Sequence, residues 1–160
     1  MTRRILAVDL GSHLGLAWRD GERVRTRQVF LPQGGGQHGP RCVQFLYEFR
    51  RTLMRLEPQV VAYEYPSSVR GFWATRALFG MEGVMLAECE DRALSYVECK
   101  ARDAKRVLGG CARAGKEDMQ ASALREYGLV GISEDEADAV GVLLWVERLP
   151  AATWGEAVAE

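Results

Sequence analysis

Two short apolar runs, Ile5-Leu6-Ala7-Val8-Asp9 and Val60-Val61-Ala62-Tyr63-Glu64, each close on a carboxylate, and nothing else in the chain constrains its fold as strongly. Apolar runs of this length read as short buried strands. By the two-residue strand period, Asp9 shares a face with Ile5 and Ala7, and Glu64 shares one with Val60 and Ala62. An ionised carboxylate buried without a partner is costly, so such positions normally hold a cation or a basic group. The expectation is a sheet whose strand ends carry acid.

Around these runs the pattern is regular. The first strand covers residues 4–10, and strands at 14–18 and 22–31 flank Asp20-Gly21, a strong two-residue hairpin signal. The opening is therefore a three-stranded antiparallel meander. A loop containing Gly34-Gly35-Gly36 follows. Apolar residues at helical spacing then predict a helix over 41–56, ended by Pro58. A fourth strand at 59–65, a helix at 71–90 and a fifth strand at 93–99 come next. The remainder reads as helical, with Gly109-Gly110 and Gly128 as punctuation. The order β-β-β-α-β-α-β-α predicts an α/β domain with a five-stranded mixed sheet flanked by helices. It occupies residues 1–150, with 151–160 as a C-terminal tail.

Composition narrows the function classes. An apolar fraction of 48% and a charged fraction of 27% are those of a soluble globular domain. No run approaches the roughly 20 apolar residues of a membrane span, and the N-terminal run is too short for a signal peptide. The expected location is cytoplasmic. Cys42, Cys89, Cys99 and Cys111 lack paired spacing, so reduced core thiols are expected rather than a zinc site. A net charge of −1 does not advertise a nucleic-acid partner, although an acidic metal site can mask basic residues elsewhere.

A second pair of acids stands near the C-terminus, in Ser133-Glu134-Asp135-Glu136-Ala137-Asp138. Ser133 and Glu136 form a capping box, which starts the helix at Ser133 and puts Asp135 and Asp138 on one helical face. Acids favour a helix N-terminus through its dipole, which accounts for Glu134 and Glu136. It accounts less well for Asp138, at the edge of the apolar run that follows. Two strand-end acids with a helical acid pair are what a two-metal phosphodiester site requires. Hard cations such as Mg²⁺ or Mn²⁺ prefer oxygen ligands, and two of them about 3.5–4 Å apart activate the attacking water and stabilise the leaving oxygen.

At this point the chain resembles the RuvC-type Holliday-junction resolvases of the RNase H-like superfamily, in a phage-like or divergent form. The matching pieces are Ile5-Leu6-Ala7-Val8-Asp9-Leu10-Gly11-Ser12, Val60-Val61-Ala62-Tyr63-Glu64, and Ala104-Lys105-Arg106-Val107-Leu108-Gly109-Gly110. Gly115-Lys116-Glu117 and Asp135-Glu136-Ala137-Asp138-Ala139 complete the set, in family order. The resemblance implies an RNase H-like fold in which Asp9, Glu64, Asp135 and Asp138 bind two Mg²⁺ ions per active site, with Mn²⁺ able to substitute. It assigns Lys105 and Lys116 to the substrate phosphates, Lys116 as part of the catalytic set, and Ser12 to the DNA contact beside the first motif. It also implies a homodimer that makes paired, symmetric nicks in a four-way DNA junction.

Two further expectations attach to the segment after the fourth strand. Phe72 and Trp73 either stack on splayed bases or pack into the core, while Arg70 and Arg76 meet phosphates. The 71–90 helix carries Phe72, Leu78, Met81 and Met85 beside Gly80, Gly83 and Ala87, a stripe that serves a dimer interface or the core equally well. Competing functional readings are a nuclease acting on flaps, forks or RNA–DNA hybrid, and a non-catalytic junction-binding protein. An actin-like nucleotide-binding protein fits poorly, since Gly34-Gly35-Gly36 has no acid before it.

Overall fold

A computed structural model describes residues 4–32, 38–66 and 71–150 together with Thr153. The elements follow the expected order: β1 (Ile5–Asp9), β2 (His13–Asp20), β3 (Arg23–Phe30), α1 (Gly39–Leu56), β4 (Val60–Glu64), α2 (Phe72–Asp91) and β5 (Ser95–Cys99). Three helices then complete the chain: α3 (Ala101–Gly109), α4 (Lys116–Tyr127) and α5 (Glu134–Glu147). The five strands form one sheet in the order β3-β2-β1-β4-β5. The β1/β2 and β2/β3 pairs are antiparallel, whereas β1/β4 and β4/β5 are parallel.

Strand alternation sorts the core into two layers. Ile5 and Ala7 of β1 and Val60 and Ala62 of β4 face a cluster shared with α5, α3 and α4. Leu6, Val8, Val61 and Tyr63 point the other way and pack with Phe45, Phe49, Met81 and Met85 of α1 and α2. Both faces of the central strands are therefore covered, which is why their sequences read as unbroken apolar runs. Because Asp9 and Glu64 belong to the same alternation as Ile5, Ala7, Val60 and Ala62, both acids emerge on the α5 side.

Local chemistry explains the element ends. The β2–β3 loop is Gly21-Glu22, one residue later than the Asp20-Gly21 expected, because Asp20 still pairs with Arg23 and Gly21 takes the left-handed first position (φ 59°). Helix α1 starts on Gly39-Pro40 and closes where Glu57 precedes Pro58. Gly110 and Gly128 cap α3 and α4 in left-handed conformations, as their predicted role as punctuation requires.

Two expectations change. Met81 and Met85 are fully buried in the α1–α2 layer, so this part of the α2 stripe belongs to the core. All four cysteines are free, yet only Cys89 and Cys99 are buried; Cys111 is exposed and Cys42 half-buried. The Gly34-Gly35-Gly36 loop and most of the 151–160 tail lie outside the described residues. Among the described residues no helix is long and apolar enough to cross a membrane.

Candidate active site

The site is assembled on one row across the sheet. Asp9 pairs with Gly15, and Gly15 pairs with Gln28, so the three positions lie side by side on the α5 face. The middle position must be glycine. A Cβ on Gly15 would stand 2.0 Å from the Asp135 carbonyl oxygen, so the first turn of α5 rests directly on the β2 backbone. The capping box holds that turn: Ser133 Oγ accepts from the Glu136 N–H at 3.2 Å, and the Ser133 N–H donates to Glu136 Oε2 at 2.9 Å.

With no side chain at Gly15, Gln28 reaches across it. Its Nε2 donates to Asp135 Oδ2 at 2.9 Å, and His13 Nδ1 lies 3.7 Å from the same oxygen. The His13 ring is set edge-on to Phe30, with centroids 4.9 Å apart. The other oxygen, Oδ1, lies on the Gly11 side, 3.8 Å from where a Cβ on that glycine would be. Asp135 is thus oriented by two neighbours on β2 and β3 and keeps one oxygen turned toward the β1 end.

Electrostatics tie the four acids together. Burial, then repulsion from Glu64, Asp138 and Asp135, pushes the Asp9 carboxyl well above the usual carboxylate range. Asp9 retains some accessible surface, yet it takes the repulsion of all three partners. Glu64 is pushed up to about 7, by burial first and by Asp138 second, with Lys105 opposing the rise. Asp138 is also raised by burial, and the Lys105 ammonium pulls it back. These shifts are those of carboxylates gathered without enough counter-charge of their own.

The two lysines approach from different helices. Lys105 lies on α3 within range of both Glu64 and Asp138. Lys116 opens α4, is exposed, and pairs with Glu134 while still within range of Asp135 and Asp138. Ser12 sits in the β1–β2 bend, its carbonyl accepting from the Leu31 N–H at 3.2 Å. Phe72, Trp73 and Arg76 form a separate group on the first turns of α2, with the guanidinium 5.6 Å from the Phe72 ring centre and 5.7 Å from that of Trp73. Both rings are exposed, at 66% and 54%, which removes the core alternative for them. Arg70 lies outside the described residues.

Whether this donor set suits a metal can be judged from its chemistry. It consists of carboxylate oxygens, half-buried, mutually repelling and open on one side, which fits a hard divalent cation better than zinc. Among the described residues no three candidate ligands are drawn together closely enough to form a finished metal cage. The acids face one another as a cluster that a cation would have to draw in.

His13, Gln28 and Gly15 are not singled out by the sequence. The available signal was Gly15 itself, a glycine in the middle of an otherwise apolar strand, which marks close approach by another backbone. Gln28 could be found only through the register that places it opposite that glycine.

No known family profile matches the sequence, and no curated protein matches it. Solved structures do. The fold superposes on Thermus thermophilus RuvC in complex with a Holliday junction substrate at a TM-score of 0.75, with 20% identity over 90% of this chain and 92% of that one. This chain has the RuvC fold. The yeast mitochondrial Holliday junction resolvase Ydc2 gives 0.59 with 14% identity, over 90% of this chain and 77% of its own. A Fowlpox virus resolvase in complex with Holliday junction DNA gives 0.56 with 14% identity, over 91% and 99%. The RuvC architecture accounts for the antiparallel meander, the two parallel crossovers and the helices on both faces of the sheet.

Proposed function

We propose that this protein is a Holliday-junction resolvase, a divalent-metal-dependent endodeoxyribonuclease that makes paired symmetric nicks in four-way DNA junctions. The observation that carries this reading is the convergence of Asp9, Glu64, Asp135 and Asp138, from β1, β4 and α5, on one open site in a RuvC fold. In the proposed site these four carboxylates hold two Mg²⁺ ions, with Mn²⁺ as a substitute. When bound, the ions supply the charge that activates a water for in-line attack and stabilises the leaving oxygen. Asp9, which feels the repulsion of the other three acids, would be the carboxylate shared by the two ions. Gln28 and His13 hold the Asp135 carboxylate in orientation, and Lys105 and Lys116 meet the phosphates flanking the scissile bond. The products carry 5′-phosphate and 3′-hydroxyl ends.

Ser12, Phe72, Trp73 and Arg76 extend the proposed DNA contact beyond the scissile phosphate, together with Arg70 in the segment that precedes α2. The exposed faces of α1 and α2, with Val43, Tyr47 and Phe79, support a homodimer, the arrangement that paired nicks require. Cleavage of a labelled immobile four-way junction in Mg²⁺, beside linear duplex, flap and RNA–DNA hybrid, tests the reading. Paired nicks on the junction alone are expected. Cutting confined to flap or hybrid would reassign the substrate, and tight junction binding without nicking in Mg²⁺ or Mn²⁺ would leave a binding protein.

Two expected results arise here. Replacing Gln28 by Ala removes the hydrogen bond that orients Asp135, and such supporting contacts are worth roughly 10–100-fold in metal affinity. Isothermal titration of Mn²⁺ into Gln28→Ala should show a loss of that order, and unchanged affinity would remove Gln28 from the site. The second result concerns pH. With Glu64 raised to about 7, the folded protein keeps a proton there that the unfolded chain releases near the ordinary glutamate value of about 4.3. The contribution of this group to stability is thus present at low pH and falls as pH rises toward 7. Thermal unfolding in EDTA should show that decline, Glu64→Gln should flatten it, and Mg²⁺ should restore stability at pH 8 more than at pH 5.5.

A further inference from the structure

A basic cleft opens on the other side of the sheet, at the far end of β2 from the acids. Trp18 shares the α1-facing side of β2 with Leu14 and Leu16, whereas Gly15 and Ala17 face α5. Two adjoining hollows of about 260 and 530 Å³ share Trp18, Arg27, Arg55 and Leu56 as lining, with Arg51 in the first and Arg25 in the second. Four arginines therefore line the two hollows beside a half-buried indole and the side chains of Leu16 and Leu56, with Thr52 on the wall of the first and Asp20 and Thr26 on that of the second.

Only two of the four are neutralised. Arg25 pairs with Asp20 at 3.3 Å, and Arg27 pairs with the buried Glu48 at 2.8 Å. Arg51 and Arg55 are exposed and make no ion pair among the described residues. They stand four positions apart on α1, a spacing at which like charges repel along the helix. An anion lying between the two side chains would relieve that small repulsion. Guanidinium forks match phosphate oxygens in a bidentate way, and an indole face takes a flat aromatic ring. The combination selects an anion that carries a planar apolar group.

We propose that this cleft is a nucleoside-phosphate site, separate from the acid cluster, that takes a nucleotide either free or as the 5′-phosphorylated end of a DNA strand. Arg51 and Arg55 clamp the phosphate, Arg27 is held in place by Glu48 at the rim, and Trp18 stacks on the base. Nothing in this assignment depends on the catalytic reading, because the cleft and the acids lie on opposite faces of the sheet.

The test is isothermal titration in EDTA, on the full chain, with dAMP, inorganic phosphate, and a short oligodeoxynucleotide with and without a 5′-phosphate. dAMP is expected to bind at least tenfold more tightly than inorganic phosphate, and the double variant Arg51→Ala/Arg55→Ala to lose at least tenfold. Both arginines are exposed, so the variant should keep its unfolding temperature and its cleavage of junctions. Tight binding of the phosphorylated oligonucleotide together with dAMP would assign the site to strand ends, and binding of dAMP alone would assign it to free nucleotide. Phosphate binding as tightly as dAMP, no binding of either, or binding unchanged in the double variant would each overturn the proposal.

Discussion

Asp9→Asn is expected to lower junction nicking by at least roughly a thousandfold, the scale on which groups acting only in the transition state are lost. Asp9 is the residue on which the other three acids act together, and in the proposed site it would be the ligand common to both ions. Asparagine keeps the shape and one acceptor oxygen but removes the charge. It also relieves repulsion among the remaining carboxylates, so the variant should fold at least as stably as the parent in EDTA. Junction affinity, measured by gel shift without divalent metal, should be equal or tighter, because one negative charge facing the phosphates is gone. Loss of binding together with cleavage would mean that Asp9 supports the structure rather than the reaction.

Gly15→Ala is expected to have the largest effect on stability of any glycine-to-alanine change among the described residues. The added carbon would lie 2.0 Å from the Asp135 carbonyl oxygen and 2.4 Å from its carbon, both backbone atoms of a capped helix turn. No flexible side chain is available to move aside, so α5 must shift or β2 must bend. Overpacking of this kind costs about 3 kcal/mol, which lowers the unfolding temperature by roughly 6–12 °C in a domain of this size. Nicking should fall further than stability alone predicts at temperatures where the variant is folded, because the same displacement carries Asp135 away from Asp9. A variant with parental stability would show that the α5–β2 contact is looser than described.

Much of this architecture was legible in advance, for reasons that differ from element to element. The strands β1 and β4 were plain because both of their faces are buried, so composition alone marked them. Their acids could be placed on a common side because the two-residue alternation leaves no freedom once Ile5, Ala7, Val60 and Ala62 are assigned to one layer. The start of α5 was readable because Ser133 and Glu136 satisfy each other's backbone, a local event that needs no tertiary partner. What was not legible depends on distant pairing. Gln28 meets Asp135 only because β2 and β3 register Gly15 against it, and the α2 stripe could not be divided between core and surface until α1 packed over Met81 and Met85. The hairpin loop differs by one residue from the sequence expectation for the same reason: Asp20 and Arg23 decide between two adjacent turns only once paired.

The acids come from the two ends of the described chain, Asp9 on β1 and Asp138 on α5, and Gly15 is where those ends touch. During synthesis the meander and most of the sheet can emerge and pair while α5 is still inside the ribosome. Through that interval Asp9 and Glu64 lack the α5 acids, and only α3 and α4 are at hand for the apolar α5 side of the sheet. In the proposed resolvase the four acids come together only when α5 docks, so the closing step of folding would also be the step that completes the site.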